Sequence, residues 1–299
     1  MTRSTSPRYI SLPSRTAEIM KAYQLDMKKS LGQNFLVEPK ILQRMVEVAG
    51  ITDQTTVIEI GPGIGALTEF LALEAKKVYS FEIDQRFVEI LKETLADYSN
   101  VQVVGQDFLK VDLHDVVYQD LQTADRLVVV ANLPYYITTP IIMKLIESNL
   151  PFQSLVMLMQ KEVAERMTAS VGTKAYNSLT IAIQRTHEAR LAFTVPRQVF
   201  IPKPNVDSAV LELRRRPQAL VEVADPMAFQ AFVQACFTQR RKTLWNNLKA
   251  NYLKGRVTAE DLEAGLDQAG ISGQRRAETL TLEEFAHLYH ALQDKVDSL

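Results

Sequence analysis

Thr56-Val57-Ile58-Glu59-Ile60-Gly61-Pro62-Gly63-Ile64-Gly65-Ala66 is the stretch on which the reading of this chain turns. Its first five residues have the apolar, β-branched character of a buried strand. Three glycines then alternate with other residues, and Leu67, Phe70 and Leu71 follow at helical spacing. Strand, glycine turn and helix in that order make the corner of a doubly wound sheet, where the backbone approaches a ligand at a helix N-terminus. The next strand, Val78 to Phe81, runs into Glu82 and Asp84. A carboxylate at that point accepts hydrogen bonds from ribose hydroxyls. Asp107, after a third strand (Val101 to Val104), adds an acceptor at the same sheet edge, suited to an adenine amine. These features predict an adenosine-type cofactor held around Gly61, Gly63, Glu82 and Asp107. They leave its identity open, because Gly61-x-Gly63-x-x-Ala66 satisfies a relaxed dinucleotide pattern and Gly61-x-Gly63-x-Gly65 satisfies the S-adenosylmethionine pattern equally well.

The same alternation extends outward. Pro39 to Ala49 reads as a helix with one apolar face, proline near its start and Gly50 just past its end. Further strands are expected at Leu127 to Ala131 and Leu155 to Met159, and a helix over Tyr176 to Thr186. Leu191 to Val195 and Ala209 to Leu213 read as a closing pair with an antiparallel edge. Repeated β-then-α order implies an α/β fold, a Rossmann-like parallel sheet covered on both faces. Past Pro217 the pattern becomes helical only: Phe229, Phe232, Val233, Cys236 and Phe237, then Leu244 and Leu248, then Thr258 to Leu266 and Leu282 to Leu292. The expected organisation is a basic N-terminal extension over 1–30, a Rossmann-like domain over 31–217 and a small helical domain over 218–299.

Composition sets the class. The chain has 299 residues, 46% hydrophobic and 23% charged, which is globular and not disordered. A single cysteine, Cys236, excludes an internal disulfide and a zinc cluster of cysteines. No apolar run approaches the roughly 20 residues of a membrane span, and the first residues lack the apolar core of a secretory signal. The expectation is a soluble, cytoplasmic, monomeric protein without a metal. Lys plus Arg is 34 and Asp plus Glu is 35, a net charge of −1 that by itself gives no hint of nucleic acid. The distribution says otherwise. From Pro226 to Ala259 there is no acidic residue, while Arg240, Arg241, Lys242, Lys249, Lys254 and Arg256 fall inside that stretch. Arg3, Arg8, Arg15, Lys21, Lys28 and Lys29 gather at the N-terminus and Arg214, Arg215 and Arg216 form a third cluster. Three basic segments of this kind point to phosphate binding.

Asn132-Leu133-Pro134-Tyr135, after the fourth strand, discriminates among cofactors. An exocyclic adenine amine is a poor nucleophile because its lone pair is delocalised into the ring. Two acceptors, the Asn132 side-chain oxygen and the Leu133 carbonyl, bind both N–H groups and favour a more tetrahedral nitrogen. Pro134 fixes the turn, and Tyr135 offers a face for base stacking. Positioning for in-line attack on a sulfonium methyl supplies much of the remaining barrier reduction.

With these residues in view, the chain resembles the bacterial small-subunit (16S) ribosomal RNA adenine N6,N6-dimethyltransferases. The likeness runs from about Ser11 to the C-terminus through an ordered set of segments. They are Leu31-Gly32-Gln33-Asn34-Phe35-Leu36, the glycine turn, Phe81-Glu82-Ile83-Asp84, Asp107, the Asn132 tetrapeptide and Met159 to Ala164. Val199 to Ala209, Phe237 to Leu244 and Arg275 to Glu278 complete it. The resemblance implies S-adenosylmethionine contacts at Asn34, Leu36, Gly61, Glu82, Asp107 and Asn132. It implies that Asn132, Leu133 and Tyr135 hold the target amine while Phe200 stacks on the adenine from the other side. It also implies two dimethylated adjacent adenines in the last stem-loop of 16S rRNA as product, with S-adenosylhomocysteine released. The partner is then 16S rRNA in an immature small subunit, docked through Arg240, Arg241 and Lys242.

Rival readings are a macrolide-resistance-type methyltransferase of 23S rRNA, a mainly non-catalytic assembly factor, and an NAD-linked oxidoreductase. The Val199 to Ala209 and Phe237 to Leu244 segments favour the small-subunit reading over the first. Asp112, His114 and Asp115 read as a solvated loop, His287 and His290 as surface or packing, and Cys236 and Trp245 as packing in the helical domain.

Overall fold

In the computed structural model the strand expected at Thr56 runs Thr55–Ile60. It is β2, the second strand after the two-residue β1 (Phe35–Leu36), and all six of its residues are buried. Its neighbours explain why. β2 pairs in parallel with β3 (Lys77–Phe81) on one side and with β5 (Arg126–Asn132) on the other, so both strand edges and both faces are covered. Each fully buried aliphatic side chain here, Val57 and Ile58 among them, contributes about 1.5–3 kcal/mol. The structure describes residues 9–25, 34–121, 124–133, 137–148, 150–253 and 257–296. Pro134, Tyr135, Leu31 to Gln33 and the basic residues Arg3, Arg8, Lys28, Lys29, Lys254 and Arg256 lie outside the described residues.

The remaining strands are β4 (Val101–Val104), β6 (Ser154–Gln160), β7 (His187–Val195), β8 (Phe200–Ile201) and β9 (Ser208–Arg215). Among the described residues, seven of these nine strands form one sheet in the order β4-β3-β2-β5-β6-β9-β7, parallel from β4 to β6 and antiparallel between β6 and β9. The chain moves outward from β2 to β3 and β4, then returns to the opposite side of β2 to form β5. That reversal opens a crevice at the carboxyl ends of β2 and β5, the place where doubly wound sheets bind ligands. β1 and β8 make a separate antiparallel ribbon with Leu36 opposite Phe200 and Phe35 opposite Ile201.

The helices are α1 (Pro13–Ala22), α2 (Pro39–Ala49), α3 (Ala66–Glu74), α4 (Gln85–Thr94), α5 (Leu113–Leu121), α6 (Thr138–Glu147), α7 (Lys161–Met167), α8 (Ser178–Thr186), α9 (Pro226–Cys236), α10 (Leu244–Tyr252), α11 (Ala259–Ala269) and α12 (Leu282–Val296). α2 has the expected start and stop: Pro39 in its first turn and Gly50 in the left-handed conformation closing its end. Among the described residues no helix is long and apolar enough to cross a membrane.

The chain divides into two compact units, residues 1–164 with 190–215, and residues 165–189 with 216–299. The sequence pattern places 165–189 in the first domain, and the packing moves it to the second. Ala169, Tyr176 and Ile181 share one apolar core with Phe229, Phe232, Cys236 and Tyr289. The helical unit is thus built from two separated stretches of chain. The described part of the N-terminal extension, residues 9–25, packs within the first unit. The Ile10 N–H donates to Glu69 Oε2 at 2.8 Å, the Tyr9 ring lies 4.8 Å from that of Phe70, and Thr16 and Ile19 on α1 are buried. α1 therefore presents one face to protein, and its Arg15 pairs with Glu18 at 3.4 Å.

Candidate active site

The carboxyl ends of β2, β3, β4 and β5 surround a cavity of about 320 Å³ in the first unit, within the range of small-molecule sites. Its lining includes Gly61 and Gly63 after β2, Glu82 and Asp84 after β3, Asp107 after β4, and Asn132 and Leu133 at the end of β5. The β1–β8 ribbon supplies Asn34, Leu36 and Phe200. The structure thus brings together residues 34, 36, 61, 63, 82, 107, 132, 133 and 200, which are far apart in the sequence.

The glycine turn is shaped by its backbone. Gly61 and Gly63 have φ of 71° and 58°, in the left-handed region that side chains rarely adopt. A Cβ at Gly63 would lie 3.2 Å from Phe35 Cε1. The Gly61 N–H donates to the Phe81 carbonyl at 3.0 Å and the Gly63 N–H to Glu82 Oε2 at 3.3 Å. The turn is thereby tied to the end of β3. Glu82 Oε1 accepts from the Asp84 N–H at 2.9 Å. Each oxygen of this buried carboxylate therefore accepts from a backbone donor, and the Ile83 N–H also bears on it. Burial raises its pKa, and the N–H groups of Asp84 and Gly63 pull in the other direction.

Below the turn, Glu59 is fully buried and accepts from the Ser80 hydroxyl at 2.6 Å. Burial pushes its carboxyl up to about 7, opposed in part by that hydroxyl and reinforced by nearby Glu82. Asp107 Oδ1 caps the short helical turn after it through the Leu109 N–H at 3.0 Å, and its side chain is partly exposed. Phe200 is 4% exposed, buried in the ribbon and lining the cavity.

Asn132 is the last residue of β5, and Leu133 is held by its own N–H on the Leu158 carbonyl at 3.1 Å. That bond fixes the peptide plane joining Asn132 to Leu133. Among the described residues, no hydrogen bond engages the Asn132 side chain or the Leu133 carbonyl.

The basic triplet belongs to the second unit. Arg240, Arg241 and Lys242 are exposed on the connection between α9 and α10. Arg240 donates to the Lys174 carbonyl and pairs with Glu278 at 3.4 Å. Among the described residues Arg241 and Lys242 have no ion pair. A second cavity of about 370 Å³ lies beside the triplet, lined by Arg166, Lys174, Tyr176 and Arg240. Arg166 and Lys174 escaped the sequence reading, because each stands alone there; only the packing of 165–189 against α9 puts them next to Arg240.

A family profile described as ribosomal RNA adenine dimethylase matches residues 24–294. The chain belongs to that family. Dimethylase-family relatives match over nearly its whole length: a protein of Geobacillus sp. (strain WCH70) named ribosomal RNA small subunit methyltransferase A is 53% identical, covering 95% of this chain and 98% of the relative. Among solved structures, a dimethyladenosine transferase from Plasmodium falciparum superposes with a TM-score of 0.71 at 28% identity, covering 86% of this chain and 97% of the other. The 23S rRNA methyltransferase ErmE superposes with a TM-score of 0.64 at 31% identity, covering 86% and 99%.

Membership of this adenine dimethylase family implies S-adenosylmethionine as methyl donor, and the cavity fits it. A ribose diol needs acceptors, and the Glu82 carboxylate, which lines the cavity, is of the type that would serve. An adenine needs an apolar face and an acceptor for its amine. Ile83, 62% exposed, and Asp107 both line the cavity and are of these types.

Proposed function

We propose that this dimethylase transfers methyl groups from S-adenosylmethionine to N6 of two adjacent adenines in the 3′-terminal stem-loop of 16S rRNA, during assembly of the small subunit. The observation that carries the reading is the Asn132–Leu133 acceptor pair at the end of β5, where the Leu133 N–H is tied to the Leu158 carbonyl, lining a cavity that fits the donor.

When bound, the cofactor supplies a methyl group on a sulfonium, which departs leaving S-adenosylhomocysteine. The chain's own residues bind and aim. Glu82 receives the ribose hydroxyls, Asp107 the adenine amine, and Gly61 and Gly63 let the backbone close beneath. Asn34 and Leu36 bound the cavity from the ribbon. At the target base, the Asn132 side-chain oxygen and the Leu133 carbonyl accept the two N6 hydrogens, which draws the nitrogen lone pair out of the ring. Pro134 and Tyr135 complete the tetrapeptide, Tyr135 as a stacking face and Phe200 as its counterpart. The amine sheds one proton per transfer. With no strong base needed, carbonyl acceptors suffice to hold the amine until solvent takes the proton. Acceptors arranged this way also tolerate an amine that already carries one methyl group, as a second transfer requires.

Arg240, Arg241 and Lys242 hold the RNA through phosphates, with Arg166 and Lys174 extending the same basic surface. Those contacts are sequence-independent and salt-sensitive. Mapping methylated adenines in both ribosomal RNAs after adding the enzyme and cofactor tests the reading. Modification of adjacent adenines near the 3′ end of the small-subunit RNA is expected. Modification confined to large-subunit RNA would replace the reading with one like that of ErmE.

A further inference from the structure

Asn247 is an anomaly on α10. Asparagine is a weak helix former in a helix interior, and this one is 1% exposed. A buried amide costs stability unless its donors and acceptor are all used. Here they are, and every partner lies on one short stretch of chain. Oδ1 accepts from the Gln239 N–H at 2.9 Å, and Nδ2 donates to the carbonyls of Cys236 at 2.8 Å and Gln239 at 3.3 Å. One turn later, Asn251 Nδ2 donates to the Ala235 carbonyl and to Thr238 Oγ1, both at 3.2 Å. The Lys242 N–H closes the connection onto the Gln239 carbonyl at 2.9 Å. Gln239 thus has its N–H and its carbonyl fixed immediately before Arg240. The three basic side chains emerge from a backbone that α10 holds in place.

We propose that Asn247, seconded by Asn251, is a positioning residue for RNA: it sets the backbone register from which Arg240, Arg241 and Lys242 reach phosphates. The proposal rests on the reading that this triplet docks RNA. The alternative for Asn247 is a purely structural amide, needed only to join α9 to α10. The two differ in a measurable way. Loss of stability lowers the folded fraction and leaves the salt dependence of the folded protein unchanged. Loss of register removes phosphate contacts, and each lost contact lowers the slope of log K against log[salt] by roughly 0.7–0.9.

The test uses the full chain and a transcript of small-subunit rRNA, with binding measured across a salt series. Binding of S-adenosylmethionine by the same preparations confirms that the first unit is intact. The reference is the triple variant Arg240→Ala, Arg241→Ala, Lys242→Ala. Asn247→Ala is expected to weaken RNA binding about tenfold and to lower the slope by about one to two contacts. Asn251→Ala, at an exposed position that leaves no core cavity, is expected to weaken it about threefold and decides the matter if Asn247→Ala fails to fold. Full affinity and full slope in the folded asparagine variants, with the triple variant defective, would overturn the proposal and leave the RNA reading standing. A triple variant that binds as the wild type does would overturn both.

Discussion

The two units solve opposite electrostatic problems. The first hides its acids: Glu59 and Glu82 are buried beside the glycine turn, and burial raises the pKa of both. The second displays its bases: Arg240, Arg241 and Lys242 are exposed, and the side chain that orders them, Asn247, is neutral and buried. Chemistry on a small cofactor calls for preorganised acceptors in a dry cavity, where each hydrogen bond counts most. Docking on a polyanion calls for exposed cations on a fixed backbone. A net charge of −1 is the sum of these two designs and describes neither.

Variants can break this comparison or sharpen it. The largest expected effect is that of Asn132→Ala, which removes one of the two acceptors proposed for the target amine. Methyl transfer measured with labelled cofactor should fall by roughly 100- to 1,000-fold, while RNA affinity changes less than about threefold. Equal losses in both assays would mean that the first unit also docks RNA.

Next comes the buried acid below the turn. Glu59 titrates near 7 in the folded chain and at an ordinary carboxylate value when unfolded. The folded state therefore binds more protons between those two values, and its stability declines as pH rises through that window, levelling off above about 7. Glu59→Gln lacks the titration. Its stability relative to the wild type should grow between pH 5 and pH 8 by an amount on the order of 3 kcal/mol. Denaturant unfolding at the two pH values measures it, and a gap independent of pH would contradict the assignment.

Gly63→Ala tests the turn itself. It places a side chain at φ of 58° with its Cβ 3.2 Å from the Phe35 ring. Strain of about 1–3 kcal/mol predicts a loss of S-adenosylmethionine affinity of about tenfold by calorimetry, with RNA affinity unchanged. The smallest effect belongs to Arg241→Ala: about a threefold loss of RNA affinity and a salt slope shallower by about one contact. Cofactor affinity should stay at the wild-type value, and a change there would blur the division of labour between the units.

The sheet was legible because its strands are short apolar runs bounded by turns, and the observed strands differ from the expected ones mainly at their ends. The glycine turn and Glu82 were legible for a local reason, since backbone conformation and the next strand fix both. The β1–β8 ribbon was not. Two-residue strands such as Phe35–Leu36 and Phe200–Ile201 carry no periodicity, and their pairing spans most of the chain. The placement of 165–189 was equally out of reach. Hydropathy along the chain shows that Tyr176 and Ile181 are buried, and only packing shows against what. Asn247 had no signal at all, since a polar residue in a basic stretch reads as surface.

The central claim is that an acceptor pair at the end of β5 holds the same adenine amine for two successive methyl transfers from S-adenosylmethionine. The most direct measurement is labelled methyl transfer to small subunits lacking the modification, followed by nucleoside analysis at completion. The account predicts that the label ends as N6,N6-dimethyladenosine, two methyl groups on each of two adjacent adenines. Label that stops at the monomethyl nucleoside, or that appears on a base other than adenine, would contradict it.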